Sequence, residues 1–383
     1  LTSRLIACYA DKHEWICLQG FVNTQKYWLG FSLISGIGPK YTARLLNHFG
    51  DLKTAWTASQ SALHAASLDR QATQKFLQSR AKINLETELA RVAQIDSWLL
   101  TLGDEHYPPL LREIDGAPMV LYVRGTLIPE DMNAIAIVGT RKATRYGIDA
   151  AYDLAKQLAS NGITIISGLA HGIDTAAHQG ALDAGGRTIA VLGCGLNQVY
   201  PPDNRDLALK IIQQGAVMSE FSIGTPPDKR NFPRRNRVIS GLALGVLVIE
   251  APLRSGALIT ANTAGEQGRE VFALPGNIYN QNSWGPNQLI QDGAKLVMRA
   301  EDILDELNIA YSNVQTRTHT EKIAPANDIE AQILQVLTAD PIHVDDLARQ
   351  CGLPIATVSG TLTILELKGL ARNVGPMQYC LHR

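Results

Sequence analysis

Six short apolar runs recur through residues 133–308: AIAIVG (134–139), ITIISG (163–168), TIAVLG (188–193), AVMSE (216–220), GVLVIE (245–250) and EVFAL (270–274). Their starts lie 29, 25, 28, 29 and 25 residues apart. Each run is rich in Val, Ile or Ala and apolar at consecutive positions, so both faces of the strand it forms must be covered by other parts of the chain. The spacing leaves room for a crossover helix after each strand, and segments 150–158 and 207–214 have the amphipathic pattern for it. This predicts a doubly wound, extended Rossmann-like α/β sheet.

In such a sheet, ligands bind beyond the carboxyl ends of the strands. Three clusters there have the chemistry of a phosphate site. The first is Gly139-Thr140-Arg141-Lys142-Ala143-Thr144-Arg145, where a hydroxyl, backbone amides and a helix amino-terminus converge. Arg141 is nearest the strand end and is the expected contact; Lys142 and Arg145 also fit solvated helix cations. The second is Lys229-Arg230-Asn231-Phe232-Pro233-Arg234-Arg235-Asn236-Arg237, five cations around one ring. Cations that track a backbone beside an aromatic that stacks a base suit an unpaired strand, because a duplex hides the faces of its bases. Phe232 also fits a core position, and Asn236 and Arg237 fit a helix start with Arg237 paired to Glu220 or Glu250. The third is Arg254-Ser255-Gly256, where Ser255 caps the helix that follows and Arg254 can reach a phosphate. Gly168 and Gly172 form a further close-approach turn around His171, with His171 expected to satisfy a buried polar group and Asp174 to cap its helix.

Neither G-x-x-x-x-G-K-[ST] nor G-x-G-x-x-G occurs in these loops, so no nucleotide cofactor is predicted. No catalytic residue is predicted: His171 and Asp174 lack a partner nucleophile, and Cys194 fits a small residue in a tight turn. The five cysteines are odd in number and show no C-x-x-C spacing, which fits a reducing cytoplasm and leaves no zinc site legible. No apolar stretch approaches the ~20 residues that cross a bilayer. Net charge is −1, so nucleic-acid binding has to come from local basic clusters.

The flanks divide the chain further. Residues 1–26 read as an extension of unknown role. Residues 27–95 read as helical and carry LISGIGPKYTARLLNHFGDL, in which Gly36-Ile37-Gly38 before a helix is SAM-like or helix–hairpin–helix-like. That motif fits either a DNA-phosphate contact or a packing turn. Residues 96–308 form the Rossmann-like domain, 309–327 a polar linker, and 328–383 a winged helix. The stretch 325–383 holds six Asp/Glu against four Lys/Arg, and its would-be recognition helix offers only Lys368. DNA affinity depends on neutralised phosphates, so protein contact is the better expectation for this domain.

The motifs IVGTRKATRYG, SGLAHGID, NQVYPPDN, NFPRRNRVISGL, RSGALITA, FALPGN and LIQDGAKLV, taken together and in order, resemble the DNA-processing protein A (DprA/Smf) family. The resemblance extends over nearly everything after Gln25. It implies a non-enzymatic homodimer that binds and shields single-stranded DNA during natural transformation and helps load the RecA recombinase. It also implies DNA contacts at Arg141, Lys229 and Phe232, with Arg254-Ser255-Gly256 matching a family motif. The alternative is a Rossmann-type nucleotide phosphoribohydrolase-like enzyme. Against it, Pro275-Gly276 is followed by Asn277-Ile278 and no Glu-bearing motif.

Overall fold

The computed structural model describes residues 18–309, 327–338, 340–368 and 370–381. Most of the 309–327 linker and most of the 1–26 extension therefore lie outside the described residues. The chain forms two compact units, Leu1–Tyr311 and Ser312–Arg383.

The first unit opens with six helices, α1 (Leu18–Ser32), α2 (Pro39–Phe49), α3 (Leu52–Thr57), α4 (Gln60–Ala65), α5 (Arg70–Arg80) and α6 (Leu85–Gln94). Their amino-termini are punctuated by side-chain caps from Asp51, Ser59, Asp69 and Asn84. Phe31, Trp56 and Phe76 pack as an aromatic trio at their centre, with centroids 5.2–5.5 Å apart. The glycine turn at 36–38 lies between α1 and α2, with Gly36 at φ +91°. Leu29 and Val92 share a core with Leu99, Met119 and Tyr122, so this bundle packs directly on the sheet.

The sheet has nine strands: β1 (Trp98–Thr101), β2 (Val120–Gly125), β3 (Ala134–Val138), β4 (Thr164–Ser167), β5 (Thr188–Val191), β6 (Ala216–Ser219), β7 (Gly245–Val248), β8 (Glu270–Ala273) and β9 (Lys295–Leu296). Their spatial order is β1-β2-β6-β5-β4-β3-β7-β8-β9. All six expected strands are present and mutually parallel where they pair. The β1–β2 pair, unforeseen as strands, adds an antiparallel edge against β6. Helices α7 (Pro109–Glu113), α8 (Arg145–Ser160), α9 (Ile173–Asp183), α10 (Arg205–Gln214), α11 (Asn231–Leu242), α12 (Gly256–Glu266), α13 (Gln281–Gln291) and α14 (Ala300–Glu306) accompany it.

Period-two alternation assigns each strand residue to one of two layers. Along β3, Ala134, Ala136 and Val138 join the core under α11 and α12, while Ile135 and Ile137 join the core under α8 and α9. The order reverses between β3 and β7. The loops that follow these two strands therefore diverge at a topological switch point, where open α/β sheets bind ligands.

The second unit contains α15 (Asp328–Val336), α16 (Val344–Cys351) and α17 (Ile355–Leu367) with a three-stranded sheet of β10 (Ile342–His343), β11 (Ala371–Gly375) and β12 (Gln378–Leu381). This is the winged helix expected from the sequence. Lys368, at the end of α17, donates to both oxygens of buried Glu330 at 2.8 Å.

His178 on α9 is fully buried, with Nδ1 2.7 Å from Thr188 Oγ1. Thr188 donates its own proton to Ile165 O, so His178 must donate through Nδ1 in its neutral form. Burial, helped by the charge of Arg235, pushes its pKa down to about 3. The unfolded chain takes up a proton below pH 6.5 that the native chain refuses. This contribution to stability is therefore complete above the unfolded pKa and is lost as pH falls toward 3. Urea titrations at pH 7 and pH 5 should show His178→Leu losing about 2 kcal/mol less than the parent across that interval.

Candidate nucleic-acid interface

The loop after β3 is built around a carboxylate from the loop after β7. Thr144 caps α8 by accepting from Gly147 N at 3.2 Å. Its own N and Oγ1 donate to Glu250 at 2.8 and 2.5 Å. Glu250 is wholly buried. A Cβ on Gly147 would lie 2.5 Å from its carboxylate, so only glycine lets α8 start this close. Thr140 N donates to Glu250 O at 2.7 Å, and Asn282 donates to Lys142 O at 3.0 Å. The turn is thus pinned on two sides while Arg141 and Lys142 remain exposed. Arg145 instead pairs with Asp149 at 2.8 Å.

The basic stretch starts α11 at Asn231, earlier than the sequence suggested, and helical periodicity then sorts its side chains. Phe232 is half-buried. Its ring packs against Gly193, where a Cβ would sit 2.8 Å from Cδ1. The guanidinium of Arg141 lies over that ring at 5.1 Å, a cation–π contact between two of the expected site residues. Lys229 and Arg234 are exposed, and Arg234 covers the Phe221 ring at 5.3 Å. Arg230 is held by Asp228 through two bonds of 2.9 and 3.0 Å.

Three residues of the basic stretch are engaged inside the fold rather than free at the surface. Arg235 is only 5% exposed and donates to the carbonyls of Gly168 and Val191. Burial pushes its pKa down to about 10, with Asp174 acting in the opposite sense, so it stays charged at neutral pH. Asn236 is buried and donates to Gly256 O at 3.2 Å. Arg237 pairs with Glu220, as one of its two sequence readings had it.

The glycines are also explained from within. A Cβ on Gly168 would meet the Arg235 guanidinium at 2.5 Å, and one on Gly139 would meet Ile173 at 2.4 Å. Both glycines are required by the close approach of the protein's own side chains. Thr140 is half-buried, and its hydroxyl accepts from Lys142 N at 3.2 Å. Ser255 caps α12 by accepting from Ala257 N at 3.2 Å, while Arg254 and Gly256 are exposed. Since Asn236 lies one helical turn beyond Phe232 and bonds Gly256, this third cluster adjoins the second turn of α11.

Other expectations change here. His171 is exposed and faces Asp203 at 3.5 Å rather than filling a buried polar role. Asp174 reaches back to Gly168 N and Ala170 N at 3.1 and 3.2 Å, where a helix cap was expected. Burial raises its pKa. Cys194 is buried, and its thiol is pushed up to about 11 by desolvation, the wrong direction for a nucleophile. Sequence reasoning missed Glu250 as the clamp of the first loop; its signal was an acid ending a fully apolar strand.

Residues 98–308 match the family described as DNA recombination-mediator protein A, and residues 317–375 match the DprA winged helix domain. The chain belongs to the DNA recombination-mediator protein A family. It is 35% identical to Protein Smf of Synechocystis, covering 93% of this chain and 98% of that one. Protein Smf of Escherichia coli is 41% identical, covering 82% and 86%. Among solved structures, DNA processing protein A from Streptococcus pneumoniae aligns with a TM-score of 0.66 and 37% identity, covering 73% of this chain and 97% of that chain. The Helicobacter pylori protein, reported for its single-stranded DNA binding mode, aligns with a TM-score of 0.50 and 30% identity, covering 56% and 97%. These family similarities fit the sheet and strand-end loops described above.

Framework and surface residues should separate in stability measurements. Arg235→Ala leaves two carbonyls and the Asp174 carboxylate without their cation and should cost about 3 kcal/mol or more. Arg141→Ala should stay within about 0.5 kcal/mol of the parent. Guanidinium denaturation monitored by circular dichroism reads both.

Proposed function

We propose that the strand-end surface carries single-stranded DNA, with Arg141 and Lys229 on phosphates, Phe232 under a base and Arg254-Ser255-Gly256 at its border. The observation that carries this reading is the Arg141–Phe232 contact beside exposed Lys229. The Arg141 guanidinium carbon lies 5.1 Å from the ring centroid, so this cation covers part of the ring. A phosphate that draws Arg141 outward uncovers a face for a base, and that base must be unpaired. The single-stranded DNA binding reported for the Helicobacter pylori relative supports the same chemistry here.

On this reading the protein is not an enzyme. It acts in the cytoplasm as a homodimer that shields incoming DNA during natural transformation and helps load a RecA recombinase. The winged helix contacts protein rather than DNA. In support, Lys368 is engaged by Glu330, and Ile355 and Ile364 are exposed on the same helix.

The test is a gel shift with poly-dT across a salt series. Arg141→Ala and Lys229→Ala should each weaken binding and lower the salt slope by roughly 0.7. Phe232→Ala should weaken binding with the slope unchanged. Parental binding by all three variants would remove the site from this surface. Deleting residues 328–383 should leave affinity for poly-dT intact. A loss of about 100-fold would instead give the winged helix a direct role on DNA.

A further inference from the structure

The turn between β5 and α10 carries an aromatic that none of the interactions above requires. Tyr200 is 40% exposed, and its ring centroid is 5.8 Å from that of Phe232 at an interplanar angle of 38°. Its hydroxyl makes no hydrogen bond among the described residues. The turn beneath it is nevertheless firmly held. Asn204 is buried and donates to Leu169 O at 2.8 Å and Thr175 Oγ1 at 2.9 Å. Asn197 accepts from Gly224 N at 2.8 Å, and Gly195 N donates to Thr225 O at 2.9 Å. Asp203 faces His171 at 3.5 Å, on the loop whose Gly172 abuts the backbone of Thr140 and Arg141.

A large ring displayed beside a groove on an anchored turn is pre-organised to receive a flat partner. We propose that Tyr200 is a second stacking platform, taking the base next to the one on Phe232. The strand then runs from Arg141 and Phe232 across the turn after β5. The 5.8 Å between the rings exceeds the ~3.4 Å advance per nucleotide of a duplex strand, so the pair suits an unstacked, extended polynucleotide. Stacking is indifferent to base identity, and the step adds no ion pair. The proposal rests on the single-stranded DNA reading of the neighbouring cleft.

The experiment uses the full chain, dT oligonucleotides and fluorescence anisotropy across salt, with circular dichroism to confirm that each variant folds. Tyr200→Ala should bind about 10-fold more weakly with the parental salt slope, and Tyr200→Phe should bind like the parent. Tyr200→Ala should also weaken binding in a Phe232→Ala background, and an oligonucleotide carrying 5-iodouracil should crosslink to Tyr200. If Tyr200→Ala binds like the parent while Arg141→Ala and Phe232→Ala do not, the second platform is overturned and the cleft reading survives. If Tyr200→Ala costs nothing once Phe232 is gone, Tyr200 serves only as a wall for that ring and the proposal is again overturned. Parental binding by the Arg141, Phe232 and Tyr200 variants alike would instead overturn the cleft reading itself.

Discussion

A guanidinium removed from water has to find its hydrogen bonds inside the fold, and Arg235 finds them on the carbonyls of Gly168 and Val191 at the ends of neighbouring strands. The same cation lies 5.9 Å from the Phe232 ring, on the helix that displays that ring. Asp174 supports its charge while binding the amides of the turn that follows β4. One buried charge thus fixes the relation between two strand ends, one turn and one aromatic. Phe232 is presented at the surface by the helix that this anchor holds.

Glu250 performs the matching task on the other side of the switch point. It takes both polar groups of Thr144, which caps α8, while its backbone carbonyl accepts from Thr140. The exposed side chains of Arg141 and Lys142 therefore stand on a loop with little freedom of its own. Asn236 joins the two halves by linking α11 to the first residue of α12. A surface assembled from loops becomes rigid because its polar groups are answered from beneath.

The basic stretch on α11 illustrates how far a pattern can be read. Five cations in nine residues look like one electrostatic feature, yet helical geometry turns Arg235 and Asn236 inward with Phe232 and Ile239 at spacings of three and four. That stripe was legible had the helix been started at Asn231. The start was obscured because Asn231-Phe232-Pro233 carries no side-chain cap and reads as loop. Gly168 shows a related limit: a glycine marks a close approach, and only the fold shows that the Arg235 guanidinium is what approaches.

The sheet, its strand ends and the flanking winged helix followed from the sequence because consecutive apolar residues at fixed intervals leave a parallel sheet as the way to bury both faces. The choice of exposed residues within each cluster could not follow from it. Lys229 and Arg141 face water, Arg235 is enclosed, Arg237 finds Glu220, and Tyr200 stands beside a ring 32 positions away in the chain. Each outcome depends on what distant strands bring alongside. Burial and hydrogen-bond demand are properties of the packed neighbourhood, and local sequence does not contain that neighbourhood.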